Sequence, residues 1–388
     1  MDTNRFYPRI AFPLILGILL LSACNQDAIF YVIENGTELK SAAIPGGPTR
    51  IIHYNETLYV AGNGIYWYTP YNNRMRWRKI AIQPRGTVIA LAATEEYLYA
   101  LSYTGSTISS TQLYRYKEGE PEWQAIENSL EYNRLTTMYS GGDTLFIGAY
   151  QGSSSAKMGV LYIQDTDVSL HLGREFTSKG LLNEATFYEG NYYIAVESQG
   201  LIPFSDPALM AAATALNEDA APNFIALMQI GSSLIAVSHT GVVWRIGKDR
   251  RVIDKKECGF IFSGAMAYWE DPTEDPAERK LPLLILGRTV SGGSSTTYYT
   301  YGYYEFSIDA SGELDLSVNK MEPGDKRPNE TIGTTVAVNA KYVASLGTHV
   351  VNSLYQAPRS LDADMPIFAS TQKDGLWSCR NQVWNVED

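Results

Sequence analysis

Histidine and cysteine are scarce in this chain of 388 residues. The histidines are far apart and lack metal-ligand spacing, so the sequence predicts no metal site built from them. They are His53, His171, His239 and His349. Of the three cysteines, Cys24 ends an apolar segment, which leaves Cys258 and Cys379. Because these two fall in different parts of the chain, we predict two separate, buried thiols rather than a disulfide.

Positive charge is also in short supply. Lysine and arginine number 31 against 42 aspartates and glutamates, and the formal net charge is −11. Binding to nucleic acid or to anionic lipid needs clustered basic side chains. We therefore expect neither a nucleic-acid partner nor an electrostatic attachment to lipid.

The apolar run near the N terminus, Ile10–Leu21, is too short to span a bilayer comfortably. It follows Arg5 and Arg9, which is the arrangement of a secretory signal peptide. No Arg-Arg pair is present, so we expect general secretion of an unfolded chain and no large cofactor loaded before export. If Cys24 has no special role, the alternatives are an ordinary cleaved signal and an uncleaved anchor that happens to carry a cysteine.

The run Leu21-Ser22-Ala23 leads directly into Cys24 and resembles the lipobox of bacterial lipoproteins. That resemblance implies a diacylglyceryl group on the Cys24 sulfur and cleavage before this residue. Residues 1–23 would then be a signal peptide and residues 24–388 the mature chain, held at the cell membrane or outer membrane on the extracytoplasmic side. Asn25, rather than aspartate, favours the outer membrane.

Tyrosine and phenylalanine are abundant, at 27 and 12 residues, and favour strands over helices. A unit of roughly 40 to 60 residues recurs along the chain. Its first copy has four apolar or aromatic segments separated by turns, and the second repeats their order. The segments of the first copy are Ile51–Tyr54, Leu58–Gly62, Gly64–Tyr68 and Trp77–Ile80; those of the second are Val88–Leu91, Leu98–Leu101, Leu113–Tyr116 and Trp123–Ile126.

Further copies follow up to Val318, after which the pattern becomes ambiguous. Val336–Val338 and Tyr342–Leu346 form one pair of apolar segments, and Ile367–Ala369, Gly375–Trp377 and Val383–Trp384 look like the end of another unit. The sequence thus predicts an all-β chain folded as a single β-propeller of four-stranded antiparallel sheets. We favour seven blades over eight, with the ring closed by strands from both termini in one blade.

The repeat resembles the propeller repeats of bacterial sialidase-like, quinoprotein-like and sensor proteins. Gly64-Ile65-Tyr66 and Gly375-Leu376-Trp377 carry this resemblance. Neither an Asp-box nor the WD-repeat signature is present.

Two segments interrupt the pattern. Asp206-Pro207 precedes Ala208–Asn217, an Ala/Leu/Met stretch with an N-cap and an N1 proline, and this predicts a short helix. Glu270–Glu278 is an acidic stretch broken by prolines, which we interpret as a protruding, hydrated loop.

Candidates for chemistry are few. Two Asp-x-Asp pairs, at Asp165 and Asp167 and at Asp362 and Asp364, have the spacing of a partial calcium loop, but neither continues into a full one. We interpret them as solvated turn carboxylates. No catalytic constellation, metal site or cofactor site is predicted.

The stretch Tyr298–Tyr304 is the most suggestive feature for binding. In a strand, Tyr299, Tyr301 and Tyr303 fall on one face, and an exposed row of tyrosines is typical of recognition surfaces. The alternative is that these rings pack between neighbouring blades.

Together these features predict a lipid-anchored propeller of the cell envelope that binds an envelope protein without catalysis, as a scaffold does. One alternative is a surface propeller that binds or cleaves carbohydrate, suggested by four aromatic residues in the repeats. They are Trp67, Trp244, Tyr301 and Trp377. The other alternative is an adhesin or surface antigen.

Overall fold

The computed structural model describes residues 42–105, 111–151, 157–176, 180–216, 222–258, 261–289, 303–316, 346, 349–380 and 383–387. The signal segment, Cys24, Tyr299 and Tyr301 lie outside these ranges. Within them the chain forms seven antiparallel sheets, five with four strands and two with three. These sheets are the blades of a seven-bladed propeller, so the preference for seven blades is confirmed.

Blade 1 contains β1 (Ile52–Tyr54), β2 (Thr57–Ala61), β3 (Ile65–Tyr71) and β4 (Arg74–Lys79). Blade 2 contains β5 (Thr87–Ala93), β6 (Leu98–Tyr103), β7 (Thr111–Tyr116) and β8 (Gln124–Ile126). Blade 3 contains β9 (Arg134–Gly141), β10 (Thr144–Tyr150), β11 (Met158–Gln164) and β12 (His171–Phe176). Blade 4 contains β13 (Leu182–Tyr188), β14 (Asn191–Val196) and β15 (Gly200–Phe204).

Blade 5 contains β16 (Phe224–Ile230), β17 (Ser233–Ser238), β18 (Val242–Ile246) and β19 (Val252–Glu257). Blade 6 contains β20 (Ile261–Trp269), β21 (Leu283–Thr289) and β22 (Tyr303–Ser307). Blade 7 contains β23 (Val351–Gln356), β24 (Ile367–Thr371), β25 (Leu376–Arg380) and β26 (Val383–Val386). Each blade is therefore a meander of consecutive strands, joined by hairpins, as the repeat predicted.

The second strand of each blade is the most deeply buried. In β2, β6, β10, β14 and β17 nearly every side chain is buried, because a middle strand has a neighbouring blade on each face. The second segment of the sequence repeat, Leu58–Gly62 in the first copy, corresponds to this strand. Apolar clusters between consecutive blades form the core.

The ring closes between blade 7 and blade 1. All four strands of blade 7 come from the C-terminal part of the chain, so among the described residues the expected sharing of one blade by strands from both termini is not found. The N-terminal segment instead lies along β25 and β26: Leu376 and Ala43 donate backbone hydrogen bonds to Ile44 and Glu387, at 3.3 and 2.9 Å. Side chains complete the closure, since Tyr68 and Trp77 pack on Phe368.

The segment after Asp206 is a 3-10 helix, Pro207–Ala212, shorter than the predicted Ala208–Asn217. Asp206 caps it as expected, since its carboxylate accepts a hydrogen bond from the backbone N–H of Ala208 at 2.8 Å. Among the described residues, no helix is both long and apolar enough to cross a membrane.

Candidate functional site: the central channel and its mouth

A channel with a volume of about 610 Å³ runs through the ring and is lined by the first strand of every blade. In blades 2 to 7 the first strand has a β-bulge at the same place in its pairing with the second strand. A bulge adds a residue and turns its side chain out of the regular alternation. Single extra residues, at least partly exposed to the channel, are Ile89, Thr136, Asn183, Ile225 and Asn352.

Arg50 occupies the corresponding position in blade 1. Thr49 hydrogen-bonds with Ala61 and Ile52 pairs with Tyr59, so Arg50 and Ile51 together lie opposite one residue. The bulge therefore places a guanidinium group in the channel, where most other blades present an aliphatic, hydroxyl or amide side chain.

The Arg50 side chain reaches from blade 1 to Glu184 of blade 4. Its Nη1 atom lies 2.6 Å from Oε2 and 2.9 Å from Oε1 of the Glu184 carboxylate. The guanidinium carbon lies 5.6 Å from the centre of the Tyr139 ring in blade 3. One ion pair thus links three blades across the channel.

Burial and charge act in opposite directions on this pair. Burial raises the pKa of the Glu184 carboxyl, and the neighbouring Arg50 charge only partly offsets that effect. Burial alone would lower the pKa of Arg50, but Glu184 and Tyr139 raise it overall. The pKa of Tyr139 is raised by burial and by the Glu184 charge.

Hydroxyl and amide groups of the first strands tie blade 3 to blade 4, blade 4 to blade 5, and blade 6 to blade 7. Thr137 Oγ1 donates to Leu182 O at 2.9 Å, and Asn183 Nδ2 donates to Phe224 O at 2.9 Å. Ser263 Oγ donates to Val351 O at 2.6 Å. The polar channel residues are therefore largely engaged in holding the ring together, which makes its wall rigid.

A second cavity, of about 280 Å³, opens from the channel where the first strands of blades 5, 6 and 7 end. We call it the mouth pocket. It shares Met228, Met266, Leu354 and Tyr355 with the channel lining. Its other members are Ala267, Tyr268, Glu270, Gln356, Ala357, Pro358 and Met365. Three methionines and two tyrosines make its wall largely apolar and deformable.

One aspartate of each Asp-x-Asp pair bonds to a neighbouring blade, which corrects the interpretation of Asp165 and Asp362 as solvated. Asp165 accepts hydrogen bonds from Thr94 Oγ1 and the Glu96 N–H of blade 2. Asp362 accepts a hydrogen bond of 2.5 Å from the hydroxyl of Tyr68 in blade 1. Asp364 alone has the predicted exposure, with 78% of its side chain accessible.

The acidic stretch after blade 6's first strand is folded around one carboxylate. Asp271 is buried and accepts hydrogen bonds from the N–H groups of Thr273 and Lys280, at 3.0 and 2.9 Å. Burial opposes its ionisation, but these bonds and the Thr273 hydroxyl hold the pKa of Asp271 below its usual value. The prediction of a hydrated loop is wrong for Asp271, whereas Glu274, Asp275 and Glu278 are exposed.

Three of the four aromatic candidates that the structure describes are core residues. Tyr303, predicted to lie in an exposed row, is fully buried, and its hydroxyl accepts a hydrogen bond of 3.1 Å from Trp384 Nε1 in blade 7. The alternative of packing between blades is the correct one for this ring. Trp244 and Trp377 are also buried, and Trp67 is 36% exposed.

The two remaining cysteines and two of the four histidines pack or bond within the fold. Cys258 and Cys379 are both buried and form no disulfide, as predicted. His349 Nδ1 lies 2.8 Å from Asp374 Oδ2, and His171 stacks on Tyr162. Across the described ranges, no three His, Cys, Asp or Glu side chains are grouped as metal ligands would be.

No protein-family model matches the chain, and no curated protein matches its sequence. Solved structures match its fold. Sqt1 of Saccharomyces cerevisiae is 11% identical with a TM-score of 0.50, over 89% of this chain and 85% of that one. A chain of the mitotic checkpoint complex is 9% identical with a TM-score of 0.50, over 86% and 89%.

The GH74 enzyme of Niastella koreensis is 14% identical with a TM-score of 0.56. The match covers 90% of this chain and 55% of the enzyme. At such identities these likenesses show a shared propeller fold, and fold alone does not fix function.

Proposed function

We propose that this chain is a lipid-anchored, extracytoplasmic propeller of the cell envelope that binds a protein partner through the mouth pocket and catalyses no reaction. The observation that carries the proposal is the mouth pocket itself. An apolar depression lined by methionine and tyrosine, set in a rigid ring, suits the insertion of one or two anchor side chains from a partner.

The ring provides the rigidity that such a platform needs. Hydrogen bonds join the first strands of successive blades, and Arg50 and Glu184 join opposite sides of the channel. A rigid ring holds the backbone around the pocket in place, which lowers the entropic cost of binding. The anchor at Cys24 rests on the lipobox sequence, and a carbohydrate ligand remains the alternative for the same pocket.

Placing a charge in the mouth pocket tests the binding proposal. We expect Met266→Glu to reduce recovery of a stoichiometric envelope protein, captured with the tagged chain from detergent-solubilised membranes, by about tenfold. Val168→Glu is the matched control, because it adds the same charge at a side chain that is 75% exposed in blade 3. Equal recovery with both variants would contradict the proposal.

Labelling cells with radioactive palmitate tests the anchor. We expect the wild-type chain and a Cys258→Ala control to incorporate label, and Cys24→Ala to incorporate none. Cys24→Ala protein labelled as strongly as the wild type would show that lipid is not attached at this position.

A further inference from the structure

The last two strands of blade 1 form a hairpin whose turn is Asn72-Asn73. Both residues have positive φ, at 51° and 60°, as a two-residue type I′ turn requires. The pairing that follows places Trp67 opposite Arg78, Thr69 opposite Arg76, and Tyr71 opposite Arg74. Directly paired residues share one face of a sheet, so these six side chains lie on the same face.

The opposite face of the hairpin is fixed in the core. Tyr68 and Trp77 pack on Phe368 of blade 7, with ring centres 4.9 and 5.2 Å away. Arg380 and Asp362 bind the Tyr68 hydroxyl, each at 2.5 Å. The face that carries the arginines is consequently presented to solvent on a rigid support.

Arg74, Arg76 and Arg78, which we call the arginine row, are all exposed. Arg78 lies 4.4 Å from the centre of the Tyr71 ring, and none of the three forms an ion pair with any residue that the structure describes. Like charges at alternate strand positions, about 7 Å apart, repel one another. Their placement together is notable in a chain with a net charge of −11.

The row lies on β4, which is the outermost of the described strands in its sheet. An edge strand offers backbone N–H and C=O groups to an added strand. A partner strand beside β4 would present alternate side chains at the same spacing of about 7 Å as the arginines. The edge and the charge periodicity thus point to the same kind of ligand.

We propose that the edge of blade 1 binds an extended acidic segment of a protein partner as an added β-strand. Carboxylates at every second position of that segment pair with the arginine row, and Trp67 and Tyr71 supply aromatic contact area. This surface is separate from the mouth pocket, so the proposal goes beyond the proposed function and either can fail while the other holds.

Arginine on an edge strand also has a purely protective use, since charge discourages pairing of edges between chains. Another outer strand of this propeller, β19, carries charges of both signs in the run Asp254-Lys255-Lys256-Glu257. Protection therefore does not require charges of one sign. Because the arginine row carries only positive charge, it favours a negatively charged ligand.

The test uses a fluorescent peptide of alternating glutamate and threonine, with fluorescence anisotropy of the purified full chain. We expect binding that Arg76→Glu weakens by roughly tenfold. Arg251→Glu is the matched control, because this arginine is 86% exposed in blade 5, and it should leave the affinity unchanged. An isomeric peptide with consecutive glutamates should bind more weakly.

Two N-methylated forms of the alternating peptide distinguish strand addition from charge attraction alone. Each form is methylated at every second amide, on opposite edges of the extended peptide. Strand addition predicts that one form binds and the other does not, because only one set of amides faces β4. Equal binding of both forms, an affinity unaffected by Arg76→Glu, or binding of polygalacturonate without binding of the peptide would overturn the proposal.

Discussion

At the scale of single residues, the ion pair in the channel is a balance between burial and attraction. Glu184 is almost fully buried, and its pKa lies above the usual value even with Arg50 beside it. A carboxyl whose pKa is raised by folding favours the folded state when protonated. The stability that this carboxyl adds is therefore fully present at pH values below its pKa in the unfolded chain. It is lost as pH rises through the pKa of the carboxyl in the folded protein.

Removing the Arg50 charge tests how far the attraction of this arginine offsets the cost of burying the Glu184 carboxylate. We expect Arg50→Met to lower the free energy of unfolding at pH 7 by about 3 kcal/mol, because it leaves a buried carboxylate unpaired. The loss should shrink towards pH 5 as Glu184 takes up a proton. Urea unfolding at pH 7 and at pH 5 measures the loss in the free energy of unfolding. The double variant Arg50→Met/Glu184→Leu is the control and should recover most of the stability. An equal loss at both pH values would contradict this account.

The two buried cysteines should be unreactive in the native state. Burial raises the pKa of the Cys258 thiol to about 11, so little thiolate is present at neutral pH. The test uses Cys24→Ala protein at about pH 7.5. We expect a thiol reagent to modify neither Cys258 nor Cys379 until denaturant is added. Rapid modification of the folded chain would show that these sites open to solvent.

The sequence indicated that Cys258 and Cys379 would be separate, because repeat position limits which cysteines can meet. It could not indicate the Arg50–Glu184 pair, whose members are 134 positions apart. Each residue alone is unremarkable in the sequence, and only the closed ring brings them together. The same holds for Asp362 and Tyr68, 294 positions apart, whose bond makes a turn-like aspartate part of the closure.

At the scale of elements, the type I′ turn of blade 1 controls the arginine hairpin. We expect Asn73→Val to lower the free energy of unfolding by about 1 to 2 kcal/mol, since a β-branched residue is strained at positive φ. Asn73→Gly should be neutral or slightly stabilising. Equilibrium denaturation of both variants tests this, and tolerance of valine would argue against the turn geometry.

Apolar runs allowed the second strand of a blade to be predicted from sequence: Leu58–Gly62 corresponds to β2, and Leu98–Leu101 lies within β6. The first strand of blade 7 was missed. β23 reads Val-Asn-Ser-Leu-Tyr-Gln and has only three apolar residues, because a bulge and a serine bonded to blade 1 occupy its centre. The contacts that close the ring, rather than the strand propensity of its residues, therefore make this segment a strand.

At the scale of the whole molecule, stability depends on closure between the first and last blades. Phe368 is fully buried against Tyr68 and Trp77. We expect Phe368→Ala to lower the free energy of unfolding by about 3 to 5 kcal/mol while preserving one cooperative transition. Denaturation monitored by fluorescence and by circular dichroism measures the free energy of unfolding and shows whether the two signals change in one transition. A separate early transition would indicate that blade 7 unfolds alone.

The central claim is that a partner protein occupies the mouth of the channel. Its most direct test is photo-crosslinking in intact cells from an amino acid introduced at position 228, on the wall of the mouth pocket. The account predicts one discrete adduct with an envelope protein from position 228 and none from position 168, on the exposed surface of blade 3. No adduct from position 228, or the same adduct from both positions, would contradict it.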